Sequence, residues 1–252
     1  MLQTDLHIHT IMSGHAFSTL NEYAHEACRM EIEYIGITDH GPSMENAAHQ
    51  GYFDMVDRVP NSINNVRILF GCETNITNIS GDLDLDINLL SRLKLVIAGL
   101  HEKTSYTNSS EINNTSAMVN ALKKNRIHIL AHPYRSMFPV NIEELVYAAC
   151  ENNTLLEINK SLILYAVKHI NELGSRDVIE KTREMIDLLQ NRSRGFVINS
   201  DAHHTSEMGI NDKELDSLIH YLDIKPEYIY NNNISALSRY ITALDAGSKA
   251  NE

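Results

Sequence analysis

Seven of the thirteen histidines in this 252-residue chain, together with two carboxylates, stand where an apolar run gives way to a polar segment. They are His7 and His9 in DLHIHT, His15 in SGHAFS, His40 in ITDH, Glu73 in FGCET, His101 in AGLH, His132 in LAHP, and Asp201 and His203 in NSDAH. Imidazole and carboxylate donors without thiolates suit zinc, manganese or iron, not an iron–sulfur cluster. Nine such donors exceed what one ion uses, since a catalytic zinc takes about three protein ligands plus water. The set fits two or three ions that share a carboxylate. Ions about 3.5–4 Å apart clamp a phosphoryl group while one bound water ionises near neutral pH. The natural reaction is hydrolysis of a phosphate ester, or less obviously of an amide.

Spacing says more about individual residues. His7 and His9 are two apart, so in a strand they share a face, with Leu6 and Ile8 turned the other way into apolar packing. Asp201 and His203 repeat that spacing. Glu73 closes an apolar run, and its two oxygens suit a bridge between ions. Pro133 disfavours the helical region for the residue before it, which predicts extended backbone at His132. His15 is placed only by its loop. Asp39, beside His40, reads equally as an orienter of a ligand or as a turn former. The sequence identifies no general acid; Asp39, His49 and His204 are the candidates for a catalytic side chain. His25 and His220 lie in helical patterns and read as surface residues, His128 reads as packed within a strand, and His169 falls in a linker.

Many separate strand ends are needed to carry these ligands. Apolar runs over 2–9, 34–38, 68–73, 95–100, 127–131, 155–158 and 196–200 predict seven strands. Amphipathic patterns over 20–30, 116–124, 142–151, 177–190 and 212–222 predict the helices between and after them, the first opened by Thr19 and Glu22 in capping-box spacing. A terminal helix over 235–246 is predicted with Ser235 as its N-cap. Strands alternating with helices imply parallel pairing. An open sheet gathers ligands at one switch point from two or three strands, whereas a closed barrel brings every C-terminal strand end to one rim. Ligand candidates follow six of the seven strands, which favours an α/β, irregular seven-stranded (βα)7 barrel of the TIM-like kind with its metal site at the C-terminal rim. The segments 41–66 and 102–115 are long for such connections and are candidate lid or substrate-binding loops.

Composition limits the partners. A net charge of −12 argues against a nucleic-acid-backbone binder. No run approaches the roughly 18 apolar residues of a membrane span. A first ligand candidate at residue 7 leaves no room for a cleaved signal peptide. Cys28, Cys72 and Cys150 are widely spaced and read as reduced thiols. The expectation is one cytoplasmic domain over 1–252.

In these motifs the chain resembles the PHP superfamily, named for polymerase and histidinol phosphatase. DLHIHTIMSGHAFSTL, ITDHGPSMENAAH, AGLHE, LEIN and SDAHHTSEMG resemble more narrowly its YcdX-like phosphatases, and the likeness runs from residue 4 to about residue 245. The resemblance implies a (βα)7 barrel with three divalent ions, zinc by usual assignment, with manganese or iron as alternatives. It implies that His7, His9, Glu73 and Asp201 hold the first ion. Glu73 bridges to the second, completed by His101 and His132, and His15, His40 and His203 hold the third. It also implies a homo-oligomer, a trimer. The chain departs from that branch at Arg135 in PYRSMF, where relatives carry a smaller Gly-containing turn, at Lys160 after LEIN, and over 162–174. Arg135 and Lys160 follow strand ends, where a cation pairs with a substrate phosphate; a solvated surface role is the alternative for each.

The expected function is a metal-dependent phosphoesterase that hydrolyses a small phosphomonoester by attack of a metal-bridging hydroxide. Two alternatives stand beside it. One is a PHP-type nuclease acting on single-stranded nucleic acid, and the other a metal-binding regulatory protein without turnover.

Overall fold

The computed structural model describes residues 2–247, so the expected domain of 1–252 reaches past the described residues at both ends. All seven apolar runs form strands: β1 (Thr4–Ile8), β2 (Tyr34–Ile37), β4 (Val66–Asn75), β5 (Leu95–Gly99), β6 (Ile129–Leu130), β7 (Leu155–Asn159) and β8 (Val197–Asn199). An eighth, β3 (Ser62–Ile63), pairs antiparallel with the start of β4. The seven lie in the order β1-β2-β4-β5-β6-β7-β8, every pair parallel. Helices carry the chain back outside the sheet: α1 (Leu20–Arg29), α2 (Gln50–Asp54), α3 (Ile87–Arg92), α4 (Glu111–Lys124), α5 (Ile142–Glu151), and α6 (Lys160–Lys168) with α7 (Ser175–Asn191). The capping box of Thr19 and Glu22 opens α1 as its spacing predicts. After β8 come α8 (Asp212–Leu222) and α9 (Ile234–Leu237).

β8 meets β1 with few ladder bonds. Ile8 and Ala202 form an isolated parallel bridge, and the His9 N–H donates to the Ala202 carbonyl at 2.9 Å. Elsewhere along the seam, side-chain amides replace the ladder. Asn199 Oδ1 accepts from the Leu6 N–H at 3.1 Å. Fully buried Asn231 accepts from the Ile198 N–H (2.8 Å) and donates to the carbonyls of Ile198 (2.8 Å) and Thr4 (3.1 Å). The outcome is a nearly closed barrel of seven parallel strands.

Inside, the strands alternate. Leu69, Leu95, Ile97, Ile129, Leu155 and Val197 pack into one buried cluster, and Glu73, Glu157 and Asn199 stand two or four residues further along the same strands and faces. The opposite faces bury Ile35, Ile37, Ile68, Phe70 and Val96 in a cluster with α1 and α3, and Leu130, Leu156, Ile158 and Ile198 in another with α4, α5 and α7. Leu6 corrects the simple alternation. The β1 register shifts between Asp5 and Ile8, a bulge that lets Leu6 join the interior cluster while His7 and His9 also face inward; only Ile8 turns outward as spacing predicts. Bulges beside functional sites re-aim side chains in this way.

The terminal helix over 235–246 does not form. α9 is four residues long and capped by Asn233, not Ser235, and a 3-10 turn follows at Thr242–Gly247. Leu237, Tyr240, Ile241 and Leu244, at the spacing of one helix face, pack against the interior cluster from this shorter helix and 3-10 turn. The two long loops contain structure of their own: 41–66 includes α2 and β3, and α4 starts at Glu111 inside 102–115. The segment 162–174 lies largely in α6, which begins directly where β7 ends and is capped by Asn159. All three cysteines are free thiols. Among the described residues no helix is long and apolar enough to cross a membrane.

His128 is buried, and its Nδ1 accepts from the Val96 N–H at 2.8 Å, extending the short β5–β6 ladder. Burial pushes its pKa down to about 4. Above pH ~6.5 both folded and unfolded imidazoles are neutral; below it the unfolded chain takes up a proton that the folded one refuses. Stability should therefore fall between pH ~6.5 and 4, with His128 contributing up to about 3 kcal/mol of the loss. Denaturant unfolding across that range should show a shallower fall for His128→Asn, whose amide oxygen keeps an acceptor near the Nδ1 position. At the seam, Asn231→Leu leaves buried backbone groups unpaired and should cost about 3 kcal/mol in the same measurement at pH 7.

Candidate metal centre

The nine donors identified from spacing converge at the C-terminal rim. Glu73 is fully buried at their middle. Its Oε1 lies 2.9 Å from His101 Nε2, 3.2 Å from His132 Nε2 and 3.3 Å from His7 Nε2. Its Oε2 lies 2.9 Å from His40 Nδ1 and 3.4 Å from His9 Nε2. Asp201 Oδ1 stands 3.1 Å from His9 Nε2 and 3.5 Å from His7 Nε2. The His15 ring stacks between His40 and His203, with centroids 5.1 and 4.9 Å away. Three triplets, His7–His9–Asp201, His9–His40–His203 and His40–Glu73–His101, each bring their donor atoms within 4.8 Å of one another.

Outer partners decide which nitrogen of each ring carries the proton. Asp39 can only accept, so at 2.7 Å the Ser13 hydroxyl donates to it, and Ser13 Oγ must in turn accept from His9 Nδ1 at 3.0 Å. His7 Nδ1 donates to Glu157 Oε1 (2.8 Å). Asn75 Nδ2 donates to the Gly41 carbonyl and Asp84, leaving its Oδ1 to accept from His101 Nδ1 at 2.8 Å. His203 Nδ1 donates to the Asp201 carbonyl at 3.0 Å. All four rings therefore turn an Nε2 lone pair inward.

Those lone pairs have no protons to meet. His7 Nε2 and His9 Nε2 face each other at 3.1 Å. His40 Nδ1 and Glu73 Oε2 are buried without a hydrogen-bond partner. Ligand bonds of about 2.0–2.2 Å place neighbouring donors about 3.3–3.6 Å apart around a tetrahedral ion, close to the separations found here. The donor set fits divalent metal, and each outer hydrogen bond is of the kind that orients metal-binding histidines.

The electrostatics agree. Burial by itself would raise the Glu73 carboxyl, but His101, His7 and His40 hold it well below the usual range. Burial acts the same way on Asp201, and His7 and His9 likewise hold it well below. Burial drives His101 down to about 4 and, with His40, drives His9 well below its ordinary value. These imidazoles stay neutral, the form that binds metal. His7 goes the other way: burial lowers it, but Glu157, Glu73 and Asp201 outweigh burial and hold it well above. In the absence of metal that point attracts a proton.

Two donors sit on strained backbone. His132 has φ 29° and Asp201 φ 56°, so Pro133 does not keep His132 extended. Gly14, with φ 79°, lies where a Cβ would come within 2.2 Å of the Asn46 carbonyl, and this close packing of two loops positions His15.

The other candidates are placed differently from one another. Asp39 is buried behind the donors and accepts from the Thr10 N–H and the hydroxyls of Thr10, Ser13 and Tyr52. Arg135 lines a cleft of about 640 Å³ above the donors, 3.7 Å from Glu102. Lys160 does not reach that cleft. Its Nζ is buried on the far side of α6, donating to the carbonyls of Glu207 and Gly209 at 2.8 Å each. His49 and His204 are exposed and cap the first turns of α2 and of the 3-10 turn Thr205–Glu207. Spacing missed Glu157, Asn75 and Asn159, whose amide donates to Asp201 Oδ2 at 2.9 Å. The signal available was a polar residue at the inward position of an apolar strand, as in LLEIN.

A family model described as PHP domain matches residues 5–209. A probable phosphatase of Thermoanaerobacter sp. strain X514 is 34% identical over 244 residues, covering 95% of this chain and 94% of that one. A probable phosphatase of Clostridium acetobutylicum is 33% identical over 240 residues, with 95% and 94% covered. Among solved structures, the fold is similar to histidinol phosphate phosphatase of Lactococcus lactis, determined with zinc, L-histidinol and phosphate (TM-score 0.57, 14% identity, 88% of this chain and 94% of that one). It is also similar to a chain of an archaeal ribonuclease P bound to mature tRNA (TM-score 0.59, 12% identity, 98% and 94%).

Removing the hydroxyl that links His9 to Asp39 tests the role of these outer bonds. Ser13→Ala should weaken metal affinity by about 10-fold or more, measured on folded protein by competition with a chelator.

Proposed function

The chain belongs to the PHP domain family, and on that premise we propose that it is a metal-dependent phosphatase hydrolysing a small phosphomonoester. The observation that carries this reading is the convergence of the inward Nε2 lone pairs of His7, His9 and His101 on Glu73 and Asp201, each ring held by an outer partner. The probable phosphatases that match over nearly the full length of both chains support the reaction class.

The donor count suits three divalent ions, zinc being the first choice for imidazole and carboxylate ligands. His7, His9, Glu73 and Asp201 would hold one, Glu73, His101 and His132 a second, and His15, His40 and His203 a third. Bound there, divalent ions supply positive charge for a phosphate and lower the pKa of water toward neutrality. The chain's own residues do the rest. Glu73 offers Oε1 to His101, His132 and His7 and Oε2 to His9 and His40, so it reaches donors of both the first and the second ion, which suits a bridge. Asp39, through Ser13, keeps the His9 Nδ1 proton outward. Arg135 extends into the cleft, where its guanidinium can pair with phosphate oxygens. Asp39 lies behind the donors and His49 and His204 lie outside the cleft lining, so none of the three is placed to protonate the leaving oxygen.

Substrate size follows from the walls. Glu45 and Glu102 face Lys103 and Arg135 around the cleft, without the excess of positive charge that a nucleic-acid backbone requires. This favours a small ester over a polynucleotide.

Phosphate release from a broad panel of phosphomonoesters, metal-loaded and again after chelation, tests the reading. Chelator-sensitive release from one class of ester is expected. Metal-loaded protein that is silent across the panel would overturn the phosphatase assignment, and cleavage of single-stranded DNA in its place would favour a nuclease. Glu73→Gln should lose metal and activity together, by more than the roughly 10–100-fold that outer-partner changes cost. A fully metallated, active Glu73→Gln protein would sink the bridging role.

A further inference from the structure

Glu157 is a fully buried carboxylate in the middle of β7 that is absent from all three donor triplets. Its surroundings are nevertheless those of the centre. Oε1 accepts from His7 Nδ1 at 2.8 Å and from Asn199 Nδ2 at 2.9 Å. Oε2 accepts from the backbone N–H of His132 at 3.2 Å. The first contact fixes a ring, and the third fixes a main chain. His132 holds φ 29°, a conformation costly for a side chain of its size, and the bond to Glu157 ties down the amide at that turn. Asn199, the second partner, is the residue whose other amide atom accepts from Leu6 N–H across the β1–β8 seam.

From this geometry we infer that Glu157 is a positioning residue serving two ion subsites at once: it orients His7 for one and holds the strained His132 turn for the other. The inference rests on the metal-centre reading above, and no contact of Glu157 with a substrate is involved. Three donors converge on this carboxylate from β1, from the second residue after β6 and from β8. A neutral amide cannot replace it, because its NH₂ group would face either Asn199 Nδ2 or the His132 N–H, donor against donor. The His15–His40–His203 group lies outside its reach, and no contact connects Glu157 to it among the described residues.

The test reads metal and not turnover. Wild-type, Glu157→Gln and Glu157→Ala proteins are loaded with zinc, dialysed against graded chelator, and assayed for ions retained per chain. Asn231→Leu serves as a control, because it weakens the barrel seam at Thr4 and Ile198 without removing a bond to Glu157 or to any of the nine donors. The expected result is that Glu157→Ala gives up at least two ions at chelator concentrations about 10–100-fold below those that strip the wild type. Glu157→Gln, which keeps an acceptor for His7 but sets a donor against a donor, should fall between them, and Asn231→Leu should load like wild type. Loading of Glu157→Ala equal to wild type, loss confined to one ion, or equal loss in Asn231→Leu would overturn the inference. A wild type that holds fewer than two ions would overturn it as well. A chain that loads metal in this pattern but hydrolyses no phosphomonoester would sink the phosphatase reading and leave the role of Glu157 standing.

Discussion

Two fully buried carboxylates and a ring of inward lone pairs share one end of this barrel, and that concentration of unpaired electron density governs the molecule. Moving a carboxylate out of water costs several kcal/mol unless positive charge or well-aimed donors compensate. Glu157 has its donors in His7, Asn199 and His132. Glu73 does not: its nearest neighbours are ring nitrogens whose protons point elsewhere, and Oε2 has no hydrogen-bond partner. Only cations, or protons standing in for them, make this arrangement tolerable. The raised affinity of His7 for a proton is the same demand expressed without metal.

Holding mutually repelling donors close together requires a rigid frame, and the barrel supplies it by layering. Below the donors lies the apolar cluster of Leu6, Leu69, Leu95, Ile97, Ile129, Leu155 and Val197, closed further down by Ile241 and Leu244. Above it the same strand faces become carboxylate, amide and imidazole. Several local conflicts are absorbed to make this work. β1 takes a bulge that keeps Leu6, His7 and His9 all inward. His132 and Asp201 accept left-handed backbone, at a cost of order 1–3 kcal/mol each. The last seam is stitched by the amides of Asn199 and Asn231 where ladder bonds run out.

Outer partners do as much as the donors themselves. Asp39 with Ser13, Glu157, and Asn75 each reach a ring nitrogen away from the centre and settle its tautomer. Asn159 links a donor to a wall of the cleft, because its amide nitrogen bonds Asp201 while its oxygen caps α6. A change in the α6 wall therefore bears on the geometry of Asp201 through one side chain. Lys160, next along the chain, belongs to a different part of the structure, where it clamps the Glu207 and Gly209 carbonyls.

Periodicity and ligand placement in the sequence determined the seven strands, the parallel barrel and the identities of the nine converging donors, because strand alternation and strand-end chemistry are local properties. Asp39 was legible as a residue of interest, though its two readings could not be separated from spacing. Only the tertiary structure decided the rest. The bulge in β1 depends on pairing with β2, and the left-handed turn at His132 overrides the local preference set by Pro133. The terminal segment covers the barrel floor as a four-residue helix and a 3-10 turn in place of one helix. Lys160 turns away because carbonyls from a loop some fifty residues later wait on the other side of α6. Glu157 looked like an ordinary residue of LLEIN, since its importance comes from three partners distant in sequence, and contacts of that kind leave no local pattern to read.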